Sequence, residues 1–97
     1  MNDYILLMHS DTVVETTDEL WENYFISLRE HGAFQGGSSI GAGEVLRSSE
    51  EPGRVTDHLA GYILVKAMDM SSAKALVSGN PVFECGGSVE VRELPRD

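Results

Sequence analysis

Two short stretches are apolar on both faces of a pleat, and they limit the fold more than any other feature of the sequence. In residues 4–9 (YILLMH), Tyr4, Leu6 and Met8 alternate with Ile5 and Leu7. In residues 61–67 (GYILVKA), Ile63 and Val65 alternate with Tyr62 and Leu64. A strand with one face in water reads apolar–polar–apolar; a strand apolar at both parities has both faces covered. A third stretch, residues 86–94 (GGSVEVREL), alternates cleanly, with Val89 and Val91 on one face and Ser88, Glu90 and Arg92 on the other. These three strands need partners on one or both sides.

The helices are legible between them. Thr16 and Glu19 have the spacing of a capping box, and Leu20, Trp21, Tyr24, Phe25 and Leu28 follow as one helical stripe. His31 places a candidate cation in the last turn, and Gly32 supplies a left-handed stop. Asp69 caps a second, shorter helix over residues 70–78, with Ala73, Leu76 and Val77 inward, and Gly79-Asn80-Pro81 ends it. Residues 34–43 (FQGGSSIGAG) hold four of the chain's ten glycines. They lack the Lys of a phosphate-binding loop, which is Ala42 here, and also the Gly-x-Gly-x-x-Gly fingerprint. They read as an edge strand whose glycines permit a bulge or a close backbone approach, with residues 44–47 as a short strand continuation or the start of a hairpin arm. Residues 48–58, with Pro52-Gly53, read as a loop.

The element order is therefore strand, helix, strand, strand, helix, strand, which is the ferredoxin-like βαββαβ arrangement of an α+β domain: a four-stranded antiparallel sheet with two helices on one face. Ninety-seven residues suit one such domain, residues 1–97, and no more. Two helices cover only one face of the sheet. The other face, still apolar on its two central strands, calls for a second copy packed sheet against sheet, giving a homodimer and a dimeric α+β barrel with a shared cavity.

Composition excludes several classes. Sixteen acidic against seven basic residues give a formal charge of −9, the wrong sign for nucleic-acid binding. No apolar run reaches the roughly 18 residues of a membrane span, and the apolar start lacks the basic flank of a signal peptide. The one cysteine, Cys85, has no internal disulfide partner, which suits the cytoplasm.

The run from His58 to Pro95 resembles the YCII-related (DGPF-domain) family. Gly61-Tyr62 opens the third strand, the second helix is rich in Ser and Ala, Asn80-Pro81 stops it, and Gly87-Ser88-Val89-Glu90-Val91-Arg92 forms the last strand. Gly32, Phe34 and Gly36-Gly37 fit upstream. The resemblance implies a dimeric α+β barrel, as the strand pattern does. Two departures stand out. Val55-Thr56-Asp57-His58-Leu59 occupies the place of Asp-Gly-Pro-Phe, and Trp21 stands near the position of the family's first-helix histidine. The family's His–Asp pair therefore does not carry over.

Candidate chemistry is sparse. His9 ends a central strand, where an imidazole can exchange protons near neutral pH. Asp57 and His58 place a carboxylate beside an imidazole, although neighbours on a strand point to opposite faces unless a turn intervenes. With His9 they are the catalytic candidates. Arg92, a bidentate anion clamp, and Glu90 share the face turned away from Val89 and Val91 and are ligand-binding candidates, with Ser38 and Ser39 as pocket-wall residues. A Ser38 or Ser39–His58–Asp57 triad lacks a nucleophile-elbow pattern. The histidines and Cys85 lack metal-site spacing, so neither metal nor cofactor is expected. Cys85 has acidic Glu84 beside it and reads as an inert thiol. Trp21, Tyr24 and Phe25 read as core. Two functions remain: a dimeric module that binds a small molecule or a partner protein, and an acid–base enzyme of lyase or hydrolase type working in the barrel cavity.

Overall fold

The computed structural model describes residues 1–96. Seven elements follow in order: β1 (Asn2–His9), α1 (Asp18–Glu30), β2 (Phe34–Ser39), β3 (Leu59–Ala67), α2 (Met70–Ala75), α3 (Pro81–Glu84) and β4 (Val89–Leu94). The strands form one antiparallel sheet in the order β2-β3-β1-β4. This is the ferredoxin-like α+β fold expected from the element order. The two strands apolar at both parities, β1 and β3, are the central pair.

Strand parity sorts their side chains. Tyr4, Leu6, Met8, Ile63, Val65 and Ala67 are buried under the helices, joined there by Tyr24 and Leu28 of α1, Ala73 of α2 and Val82 of α3. Ile5, Leu7, Tyr62 and Leu64 lie on the opposite face, half-buried by their neighbours, with no helix among the described residues above them. Val89 and Val91 of β4 pack from the helix side, and Glu90 and Arg92 fall on the open side, as their alternation predicts.

Four local readings need correction. The cap of α1 is Thr17, whose Oγ1 accepts from the Leu20 N–H at 3.2 Å; Thr16 Oγ1 instead accepts from the Trp21 indole N–H at 3.1 Å. Leu20, counted in the apolar stripe, is exposed. Residues 44–47 are not extended onto the sheet, because β2 ends at Ser39 and every residue from 40 to 58 is exposed.

The fourth correction concerns Asn80. It was read as part of a helix stop, but it also starts a helix. Helix α2 ends at Ala75, and Gly79 adopts a positive φ of 87°. Asn80 Oδ1 then accepts the N–H groups of Val82 (2.9 Å) and Phe83 (3.3 Å), and Pro81 occupies the first turn of α3, where its missing N–H costs nothing. Asn80 is the one fully buried polar residue of the core. Its Nδ2 makes no hydrogen bond of good geometry, although the side chain lies near enough to the Tyr24 hydroxyl to pull its pKa down against the stronger, upward effect of burial. The Tyr24 hydroxyl itself donates to the Leu76 carbonyl at 2.7 Å, tying α1 to the end of α2.

The glycine-rich strand does bend. Phe34 pairs with Val65 but Gly36 pairs with Leu64, so Gln35 is the extra residue of a bulge, and Gly36 takes a φ of 140°. One position on, a Cβ on Gly37 would stand 2.5 Å from the Tyr62 carbonyl oxygen. Both backbone devices expected of this stretch are present.

Candidate functional site

The sheet separates the candidate residues into two groups, one on each face. On the helix side, a cavity of about 360 Å3 opens between α1 and the β2–β3 half of the sheet. Trp21 and Phe25 of α1 and Phe34 of β2 form its aromatic wall. Trp21 stacks on Phe25 (5.7 Å between centroids, 25° between planes), and Phe25 meets Phe34 edge to face at 5.4 Å. The Arg29 guanidinium sits 5.2 Å from the Phe34 ring centroid and backs that wall with a cation–π contact. Met8, Ile63 and Val82 complete the apolar lining, and Gly37 and Gly61 leave the sheet bare at its floor. Ser38 and Ser39 line the β2 side. Because Thr16 already satisfies the Trp21 N–H, the indole presents an apolar surface rather than a free donor.

Ser38 and Ser39, expected at the wall of a cavity shared between two copies, line this cavity on the helix side of one chain. Ser39 pairs with Gly61 and so shares the helix-side face, whereas Ser38 pairs with Tyr62 at the other parity, its hydroxyl donating to the Ser39 carbonyl at 2.9 Å. The rest of the cavity was missed. Its walls need α3, which brings in Val82, and the β2–β3 register, which brings in Gly61; neither follows from local pattern. The aromatic cluster was read as core, yet Trp21 and Phe25 are only half-buried, and that residual exposure is the cavity.

The second group lies on the open face. His9 Nε2 is 3.1 Å from Glu90 Oε1, and Glu90 Oε2 accepts from Arg92 Nη1 at 3.1 Å. A carboxylate only accepts, so His9 Nε2 is the donor in this contact. The His58 ring stands edge-on to His9 at 5.0 Å. Four of the seven candidate residues thus meet at one end of the open face. Asp57 does not join them: its carboxylate pairs with Arg54 at 3.5 Å, and no hydrogen bond links it to His58. Adjacent strand residues point to opposite faces unless a turn intervenes, and here Asp57 meets Arg54 and not His58.

The electrostatics of this end are those of held carboxylates. The hydrogen bond from Arg92, and then that from His9, keep the Glu90 carboxyl below its ordinary pKa of 4.5. Asp11, just past β1, accepts from the Ser88 hydroxyl at 2.7 Å and the Ser88 N–H at 2.8 Å, and these bonds lower its pKa from 3.8. Asp11 thereby ties the exit of β1 to the start of β4. Because both pKa values are lower in the folded chain than in the unfolded one, the stability they confer is complete above about pH 5 and drains away as acid titrates them. The melting temperature is expected to fall between about pH 5 and pH 3, and Asp11→Asn to flatten part of that fall. Thermal melts of both proteins across this range measure it; identical pH profiles would contradict the assigned role of Asp11.

His31 and Cys85 make backbone contacts. His31 Nδ1 sits 2.7 Å from the Ser27 carbonyl at the end of α1, and Cys85 is buried with its sulfur 3.7 Å from the Glu15 carbonyl. Among the described residues no three His, Cys, Asp or Glu side chains gather as metal ligands, and no helix is long and apolar enough to cross a membrane. No protein-family model matches the chain, and no curated protein shows significant similarity to it.

Proposed function

We propose that this chain is a YCII-related small-molecule-binding protein that works as a homodimer in the cytoplasm, its subunits joined through the open sheet faces. The observation that carries the binding reading is the cavity beside Trp21. Its volume of about 360 Å3 lies within the range of small-molecule sites, roughly 300–1,000 Å3. Its lining is mostly apolar and aromatic, with Ser38 and Ser39 on the β2 side and Tyr62 on β3. Such a site suits a compact, flat or branched apolar molecule with one hydrogen-bonding group directed at the serines. The dimer reading draws on Ile5, Leu7, Tyr62 and Leu64, an apolar band that the chain's own helices do not reach. The buried free thiol of Cys85 is at home in a reducing compartment.

Trp21 is the chain's single tryptophan, so its fluorescence reports occupancy of the cavity directly. A library of small aromatic and branched aliphatic acids, alcohols and amides is expected to yield ligands that both raise the melting temperature and change Trp21 emission. At a hundredfold excess over Kd the stabilisation is about 2.7 kcal/mol. Ser39→Phe, placed to fill the cavity from the β2 side, should abolish both signals. Arg92→Ala, on the far side of the sheet, should leave them intact. A ligand that stabilises the protein but ignores Ser39→Phe and is lost in Arg92→Ala would move the site to the open face.

That outcome would favour a second reading, for which the His9–Glu90 contact is the specific support. A histidine oriented by a held carboxylate, beside a guanidinium able to grip an anion, has the parts of a general base acting on a small acidic substrate.

A further inference from the structure

The cavity beside Trp21 has a shape and a charge that discriminate among small molecules. Its sheet side is bare peptide. Gly37 lies opposite Ile63, and Ser39 opposite Gly61, so the two glycines are diagonal neighbours on the helix-side face. Neither position has room for a side chain: a Cβ on Gly37 would stand 2.5 Å from the Tyr62 carbonyl oxygen, and one on Gly61 would stand 3.0 Å from the Ser38 carbonyl oxygen and 3.3 Å from the Met8 methyl. The α1 side is flat as well. Trp21 and Phe25 lie 25° from parallel with their centroids 5.7 Å apart, so the two rings form one nearly continuous surface. No charged side chain lines the space between. The Arg29 guanidinium lies against the rings of Phe34 (5.2 Å) and Phe25 (6.0 Å). A carboxylate or an ammonium group entering here would leave water without a counter-ion. Size narrows the choice further. An apolar cavity of roughly 150 Å3 holds one benzene molecule, and this one measures about 360 Å3.

We propose that the ligand of this cavity is a neutral, fused two-ring aromatic molecule carrying one hydroxyl or carbonyl group. The inference rests on the small-molecule reading above and names the class of molecule that the site takes. The ligand's plane lies between the Gly37–Gly61 backbone and the Trp21–Phe25 pair, where an aromatic plate touches both surfaces over its whole area. A puckered saturated ring touches flat surfaces only through its protruding hydrogens, and it gains nothing from stacking on the indole. The polar end is set by Ser39. The Ser38 hydroxyl already donates to the Ser39 carbonyl at 2.9 Å, whereas Ser39 shares the helix-side face and holds its hydroxyl at the β2 rim of the cavity. A hydroxyl both donates and accepts, so it serves a ligand hydroxyl or carbonyl equally.

The test is isothermal titration calorimetry of the wild-type chain with three probes on one bicyclic framework: naphthol, its saturated counterpart decahydronaphthol, and naphthoate. The saturated alcohol is the more apolar of the two alcohols, so partition from water alone would favour it. Naphthol is expected to bind at least about fivefold more tightly than decahydronaphthol, and at least about tenfold more tightly than naphthoate. This comparison needs no variant to fold. Trp21→Leu, which keeps an apolar side chain but removes the flat face, should bring naphthol down to the affinity of decahydronaphthol, and Ser39→Phe should abolish binding of both. Decahydronaphthol binding as tightly as naphthol overturns the aromatic assignment and leaves the small-molecule reading standing. Naphthoate binding as tightly as naphthol overturns the neutral one. Naphthol binding that survives Ser39→Phe lies outside the cavity and overturns the proposal. If none of the three probes binds, the proposal fails; the small-molecule reading fails with it only when the wider library also yields no ligand.

Discussion

Leu6→Ala is expected to destabilise the chain by about 2–5 kcal/mol, enough to lower the melting temperature by more than about 10 °C. Leu6 has no exposed surface, lies in the middle of a central strand, and pairs with Ile63 on one side and Val91 on the other. Removing three carbons there leaves a hole that β1 cannot close, because its backbone is hydrogen-bonded on both edges. A small domain has only about 5–15 kcal/mol of total stability, so the variant should be partly unfolded near physiological temperature. Thermal and urea melts monitored by circular dichroism measure this. A loss below about 1 kcal/mol would mean that the helix layer settles into the gap, contrary to the packing described.

Leu7→Asp is expected to act one residue away and in a different way. Leu7 sits on the open face between Tyr62 and Glu90, half-buried, with no helix above it. An aspartate there remains hydrated in the isolated chain, so the melting temperature of the monomer should change little. In a two-fold sheet-to-sheet dimer the same substitution enters the interface twice, adding two carboxylates close to one another and to Glu90. Dimerisation should weaken by at least about 100-fold, equivalent to about 2.7 kcal/mol. Sedimentation of both proteins over a concentration series reads this directly. A Leu7→Asp protein that dimerises as well as wild type would place the interface elsewhere.

The contrast between these neighbours explains what was legible in the sequence. The sheet, its element order and the parity of each strand were readable, because a period of two is written in the residues themselves. So was the departure of β2 from regularity, since glycines announce backbone freedom. Contacts that depend on register were not. Glu90 and Arg92 could be assigned to a face, but their convergence on His9 needs β4 to lie against β1 with Leu7 opposite Glu90. Helix α3 was missed because Gly79-Asn80-Pro81 is a stop signal and an N-terminal signal at once, and four residues are too few for a periodic pattern. The cavity was hidden for a related reason. Trp21 and Phe25 at helical spacing look the same whether their outer surfaces are filled or left open.

The bulge at Gln35 works as a phase shifter. Along a regular strand Phe34, Gly36 and Ser38 would share one face, and Ser39 would look the other way. The extra residue resets the alternation, so that Phe34, Gly37 and Ser39 all face the helices. An aromatic wall, a bare floor and a hydroxyl are thereby brought to the same cavity from a strand of six residues. Pairing Gln35 as an ordinary strand residue, with none removed, would abolish the bulge. Each residue after it would turn over, or Phe34 would turn in their place, and the aromatic ring and the hydroxyl of Ser39 would no longer meet across one space. The composition of the strand would be unchanged; what it would lose is its timing.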